Sequence, residues 1–160
     1  MAVKPDGNKD APELELESYI DRLDSKHQKL MRSVRAAVRK RFPTATELAY
    51  DYASHVVIAY SATNRAIDAI LALDGRADGV RLYFMHGPQL PDPKRLLRGA
   101  GSQARFFQVE AASQLAHADL KALIAAAVAK STTPMPAKGK GALIIKLTAA
   151  KKRAQRKPTT

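Results

Sequence analysis

The chain has 160 residues, 46% of them hydrophobic and 26% charged, which is the balance of one soluble globular domain. It has no cysteine, so a disulfide scaffold, a Cys-ligated zinc site and a thiol nucleophile are all excluded. Lys and Arg number 27 against 15 Asp and Glu, a net charge of +12, and no apolar run reaches the ~20 residues a membrane-spanning helix needs. The opening MAVKPDGNKDAPE lacks the apolar centre of a signal peptide, so a cytoplasmic protein without membrane contact is expected.

The first 13 residues are polar and are expected to be flexible. Residues 14–23 place Leu16, Tyr19, Ile20 and Leu23 at helical spacing, with acids on the exposed positions. Asp24 or Ser25 then caps a second helix over 26–41, whose apolar stripe runs through Met31, Val34 and Val38 to Phe42. Pro43 ends it. From there the period drops to two. Residues 47–52 put Leu48, Tyr50 and Tyr52 on one side, and 55–61 are short and β-branched. Residues 65–74 put Ile67, Ala69, Leu71 and Leu73 on one face, and 80–85 turn Val80, Leu82 and Phe84 inward. The links are too short for helical crossovers, so these strands are expected to be antiparallel neighbours.

Asp92 and Pro93 open a predicted short helix over 93–97, residues 98–103 read as a tight turn, and 104–109 as a fifth strand. Residues 118–130 form an Ala-rich helix with Leu120, Leu123, Ile124, Ala127 and Val128 facing in. Residues 131–160 contain eight bases and no acid, leaving 19 bases and 15 acids for the first 130. The expected organisation is a domain over 14–130 and a basic, largely flexible tail over 131–160, with a short strand at 142–147. The fold class is α+β. A two-layer sandwich is expected, with a mostly antiparallel sheet of five or six strands and helices on one face.

The string GVRLYFMHGPQLPDPKRLLRGAGSQARFFQVEAASQL (79–115) resembles the YdhG-like family of domains of unknown function. The resemblance is carried by Gly87, Leu90, Pro91, Asp92, Pro93, Leu96, Leu97, Gly99, Gly101 and Arg105, and it runs from about residue 14 to 130. The chain has AYDYASH where the family commonly has a Gly-Met-Pro-like turn, and Ser102-Gln103 where it has a lysine. The resemblance implies a frataxin-like fold and, from one member of the family, an iron chaperone.

Three candidate sites follow. Glu13, Glu17, Asp21 and Asp24 recur at helical spacing and are the residues an iron-binding chaperone would use, because hard cations prefer carboxylate oxygen. The same acids also serve a helix's first turn as plain macrodipole partners. Around the glycines, Lys94, Arg95, Arg98, Gly99, Gly101, Ser102 and Arg105 make a candidate anion loop, against the simpler reading of a turn that needs glycine. Lys151, Lys152, Arg153, Arg156 and Lys157 are candidates for non-specific nucleic-acid or other polyanion contact. The four histidines fall on separate elements without zinc-motif spacing, and no serine has a nucleophile-elbow context. The expectation is therefore a small binding or accessory protein with no catalytic residues. Its alternatives are a frataxin-like iron chaperone and a polyanion binder acting through the tail.

Overall fold

The structure is a computed structural model that describes residues 7–156. Two helices lead, α1 (Gly7–Ile20) and α2 (Ser25–Arg41), followed by four strands: β1 (Thr46–Tyr52), β2 (His55–Ser61), β3 (Ala69–Arg76) and β4 (Gly79–Met85). After a long loop come β5 (Ala104–Val109), α3 (Ala118–Lys130), β6 (Leu143–Lys146) and α4 (Ala149–Arg156). The strands form one sheet in the order β5-β4-β3-β2-β1-β6.

Strands β1 to β5 pair antiparallel, each with the next in sequence, as the short links require. Strand β6 pairs parallel to β1, with Leu48 opposite Ile144, so the sheet is mixed. The parallel pairing follows from the chain's path: β6 arrives only after the long excursion through β5 and α3, which is long enough for a crossover. Gly141 makes the approach possible. A Cβ there would lie 1.8 Å from the Ala45 carbonyl oxygen, and the Gly141 N–H donates to Pro43 O at 3.0 Å.

All the helical core residues lie on one side of the sheet. Ile20, Met31, Val34, Val38, Leu120 and Leu123 join Ile58, Leu71, Leu82 and Phe84 in one cluster. The other side carries a smaller cluster of Leu48, Ala59, Ala69 and Ala72, flanked by Tyr50, Val57, Tyr83, Met85 and Ile144, and among the described residues no helix contributes to it. So Leu48, Tyr50 and Tyr52 do share a side, but it is the side the helices leave open.

Several local expectations are corrected. Residues 7–13 belong to α1 rather than preceding it. The strand expected at 142–147 forms as β6, but the tail beyond it is helical (α4) rather than loose, and Thr148, where the two join, is buried. Ile67 is 78% exposed on a 3-10 turn (Ala66–Asp68), because β3 begins only at Ala69. Val128 sits at the exposed margin of α3. No helix forms over 93–97: a single turn closes with Arg95 N–H donating to Asp92 O at 3.1 Å, the left-handed φ of 54° at Arg95 stops it from continuing, and the Asp92 carboxylate accepts from the N–H groups of Leu96 and Leu97, both at 2.8 Å. Asp24 does stand at the N-cap position of α2, but its side chain makes no capping bond.

Leu82 is fully buried among the helices, in register with Leu73 and Phe107. Leu82→Ala is expected to lower stability by about 2–5 kcal/mol, the range for a leucine truncated in a core that cannot collapse, as measured by denaturant unfolding.

Candidate functional site

The acids of α1 meet arginines of α2. Arg35, buried on the inner face of α2, makes two bidentate pairs. Its Nε and Nη2 donate to Glu47 at 2.9 Å each, and its Nη1 and Nη2 donate to Glu13 at 2.9 and 2.8 Å. The Tyr60 hydroxyl donates to the same Glu47 carboxylate at 2.9 Å, so α1, α2, β1 and β2 meet at one cluster. Burial alone would lower the Arg35 pKa, but the two carboxylates reverse it and the net shift is upward. Glu13 is held below the ordinary carboxylate range by the hydrogen bond from Arg35. Burial, then the Glu47 charge, pushes the Tyr60 hydroxyl well up.

Glu17 and Asp21 both pair with Arg32, at 2.7 Å each, and Asp24 is exposed. Three of the four candidate metal ligands are thus engaged by guanidinium groups. Among the described residues no three His, Asp or Glu side chains converge as a metal site. An iron ion at α1 would have to displace Arg32 or Arg35.

The glycine loop does not gather its cations. Lys94 donates to Asp119 at 3.0 Å, and Arg95 is exposed. Arg98 exchanges two backbone bonds with Phe106, which puts it on the open side of the sheet. Arg105 lies opposite Phe84, on the helix side, so the two arginines leave the loop on opposite faces. Gly99 takes a φ of 106°, and a side chain there would meet the Phe106 ring at 3.4 Å. Gly101 has no left-handed backbone, and Ser102 is exposed.

The tail cations divide by role. Lys151 lies between Asp51 and Tyr19: its Nζ is 3.0 Å from the Asp51 carboxylate, 3.2 Å from the Tyr19 hydroxyl and 4.6 Å from the Tyr19 ring centre. Arg22 pairs with the same Asp51 carboxylate. Burial opposes the charge on Lys151, but Asp51 and Tyr19 outweigh it and raise its pKa; Asp51 is correspondingly lowered by Arg22 and Lys151 against its own burial. With Lys151 as anchor, Lys152, Arg153 and Arg156 stand exposed on α4. Lys157 lies outside the described residues.

The open side of the sheet has a chemistry that the sequence reading did not single out. At the β1–β2 end, Tyr50 stacks on Tyr52 at 5.8 Å between centroids, and Tyr52 on His55 at 5.0 Å. The His55 Nδ1 lies 2.8 Å from the Asp74 carboxylate, which is almost fully buried and also meets Arg76 at 3.5 Å. At the β4–β5 end, the Tyr83 and Phe106 rings are 5.3 Å apart, and the Arg81 guanidinium lies 4.3 Å from the Phe106 centre. The signal was present in the sequence. Tyr50, Tyr52, Tyr83 and Phe106 occupy the strand positions that alternate with the core, where a solvated sheet face normally carries small polar residues.

No protein-family model, curated protein or solved structure matches this chain. Its own geometry defines it as an α+β protein with an open six-stranded mixed sheet, and none of its described helices is long and apolar enough to cross a membrane.

Replacing Arg35 by Met leaves the buried Glu47 carboxylate with only the Tyr60 hydroxyl at 2.9 Å and the Arg39 guanidinium at 3.5 Å. Arg35→Met is expected to cost about 3–5 kcal/mol in urea unfolding, whereas Arg35→Met with Glu47→Leu recovers a large part of that loss. A second expectation concerns acid. The folded pKa values of Glu13 and Asp51 lie below their unfolded ones, so the stability they contribute is present above the ordinary carboxylate range and is lost as pH falls through the lowered values. Urea midpoints from pH 7 to pH 2 should therefore fall with pH, and less steeply in Glu13→Gln.

Proposed function

We propose that this chain is a YdhG-like domain of frataxin type that works in the cytoplasm as a binding protein rather than an enzyme, contacting polyanions through α4. The observation that carries this reading is the docking of α4 by Lys151 on Asp51 and Tyr19, which leaves Lys152, Arg153 and Arg156 exposed on a helix without acids. A helix already fixed on the body loses less conformational freedom on binding than a loose tail would. Several cations of the body are already engaged, Arg22, Arg32, Arg35 and Lys94 each pairing with a carboxylate. Contact of this kind reads charge and not sequence, because long flexible cations engage phosphates without reaching base edges.

The test is a salt series on duplex DNA with the full chain and a variant carrying Lys152→Ala, Arg153→Ala and Arg156→Ala. If all three cations engage phosphates, the log–log slope should flatten by roughly 2.7. Scrambling the DNA sequence should change little, and the variant should keep its melting temperature because the three side chains are exposed. An unchanged slope would overturn the reading.

A further inference from the structure

We propose that the open face of the sheet is a platform for single-stranded nucleic acid, whose bases stack on its half-buried and exposed rings and whose phosphates meet the cations set beside them. This goes beyond the α4 reading and uses none of its cations.

The register places the parts on one surface. One row across the strands runs Ile144, Leu48, Ala59, Ala72, Tyr83, Phe106 and ends at Arg98. The next runs Lys146, Tyr50, Val57, Asp74, Arg81 and Gln108. The aromatic side chains sit toward opposite edges, Tyr83 and Phe106 in the first row and Tyr50 in the second, with Leu48, Ala59, Ala72 and Val57 between them. The buried middle thus has a ring cluster on either side. Tyr50 and Tyr83 are three strand spacings apart across the sheet, about 14 Å, and one row apart along it, so the clusters would take different bases of one strand.

Charge complementarity selects the occupant. Among the described residues four cations belong to this face: Arg76 and Arg81 pair with its carboxylates, and Arg98 and Lys146 are the surplus. Its two acids are already engaged, Asp74 by His55 and Arg76, and Asp78 by Arg81 at 3.2 Å. An apolar protein partner would gain nothing from such cations. A duplex keeps its bases stacked on each other and offers no free ring face to Tyr52, which is 41% exposed. A single strand supplies both free base faces and a regular line of phosphates.

The chain carries its own reporter. It has no Trp and five Tyr, of which Tyr50, Tyr52 and Tyr83 lie on this face. Base stacking should quench tyrosine emission directly. The experiment titrates the full chain with a 12-nucleotide oligouridine, the matching oligothymidine and a 12-base-pair duplex, by anisotropy of a labelled strand and by tyrosine emission. Both single strands are expected to bind more tightly than the duplex and to quench. Tyr52→Ala, at an exposed ring, should weaken single-strand binding about 5- to 100-fold. Tyr83→Leu, which keeps apolar bulk beneath Phe106, should weaken it similarly while circular dichroism stays unchanged. The triple α4 variant should lose salt slope on duplex yet keep the tyrosine quench, so failure of the α4 reading and failure of this one are told apart. Equal affinity for single strand and duplex, no quenching, or unaltered binding by Tyr52→Ala would overturn the proposal. So would a dimer in sedimentation that Tyr52→Ala dissolves, because a second copy would then own the face.

Discussion

A guanidinium presents five N–H donors in a rigid planar fork, and in Arg35 that fork is filled from two directions by carboxylates. Glu47 comes from β1 and Glu13 from α1, with Tyr60 of β2 closing the far side of Glu47. Apolar packing alone would let α1 slide along the groove beside α2, since Leu16 and Ile20 need only a greasy surface. The double fork admits one position. It also explains why α1 extends upstream of residue 14: without Glu13 inside the helix, half of the fork would face solvent. The buried ions cost desolvation that their mutual attraction does not greatly exceed, so what the cluster contributes is position more than stability.

That fixed helical layer decides the character of the sheet. With α1, α2 and α3 gathered on one face, the opposite face keeps its own short-range solution: small residues at the centre, rings and long side chains leaning over them from the ends. Leu48 is completely buried there without any helix above it. The face is thus dry at its middle and aromatic at its margins, while the charged helix α4 hangs on the other side of β1 through Asp51. The molecule shows two cationic surfaces of different chemistry, one a bare row of charges and the other charges set among rings.

Strong periodicity made most of this architecture legible. The stripe from Met31 to Val38 and the alternation of Val80, Leu82 and Phe84 each state an element and its inward face. What was not legible depended on partners distant in sequence. Nothing near Lys151 announces Asp51 and Tyr19, so a run of bases reads as a loose tail. Nothing near Arg98 announces that a bridge to Phe106 will turn it away from Arg105, so the two look like one anion site. The glycine loop misled for a local reason as well: Asp92 has the sequence of a helix cap, but its carboxylate reaches two residues too far along the chain to start a helix. The sheet's aromatic face was missed because alternation says which residues share a side and not which side the helices will choose.

The parallel seat of β6 has a consequence during synthesis. Strand β1 is interior in the finished sheet, yet its outer ladder is filled by β6, which is made about 90 residues after it. Until residues 143–146 emerge, β1 is an edge with open N–H and C=O groups and no bulge or proline to blunt it. Any stage lacking β6 also lacks α4 and leaves a border open to pairing with a neighbouring chain. Ala45 and Gly141, whose backbones come closer than any side chain would permit, are where that border is finally sealed.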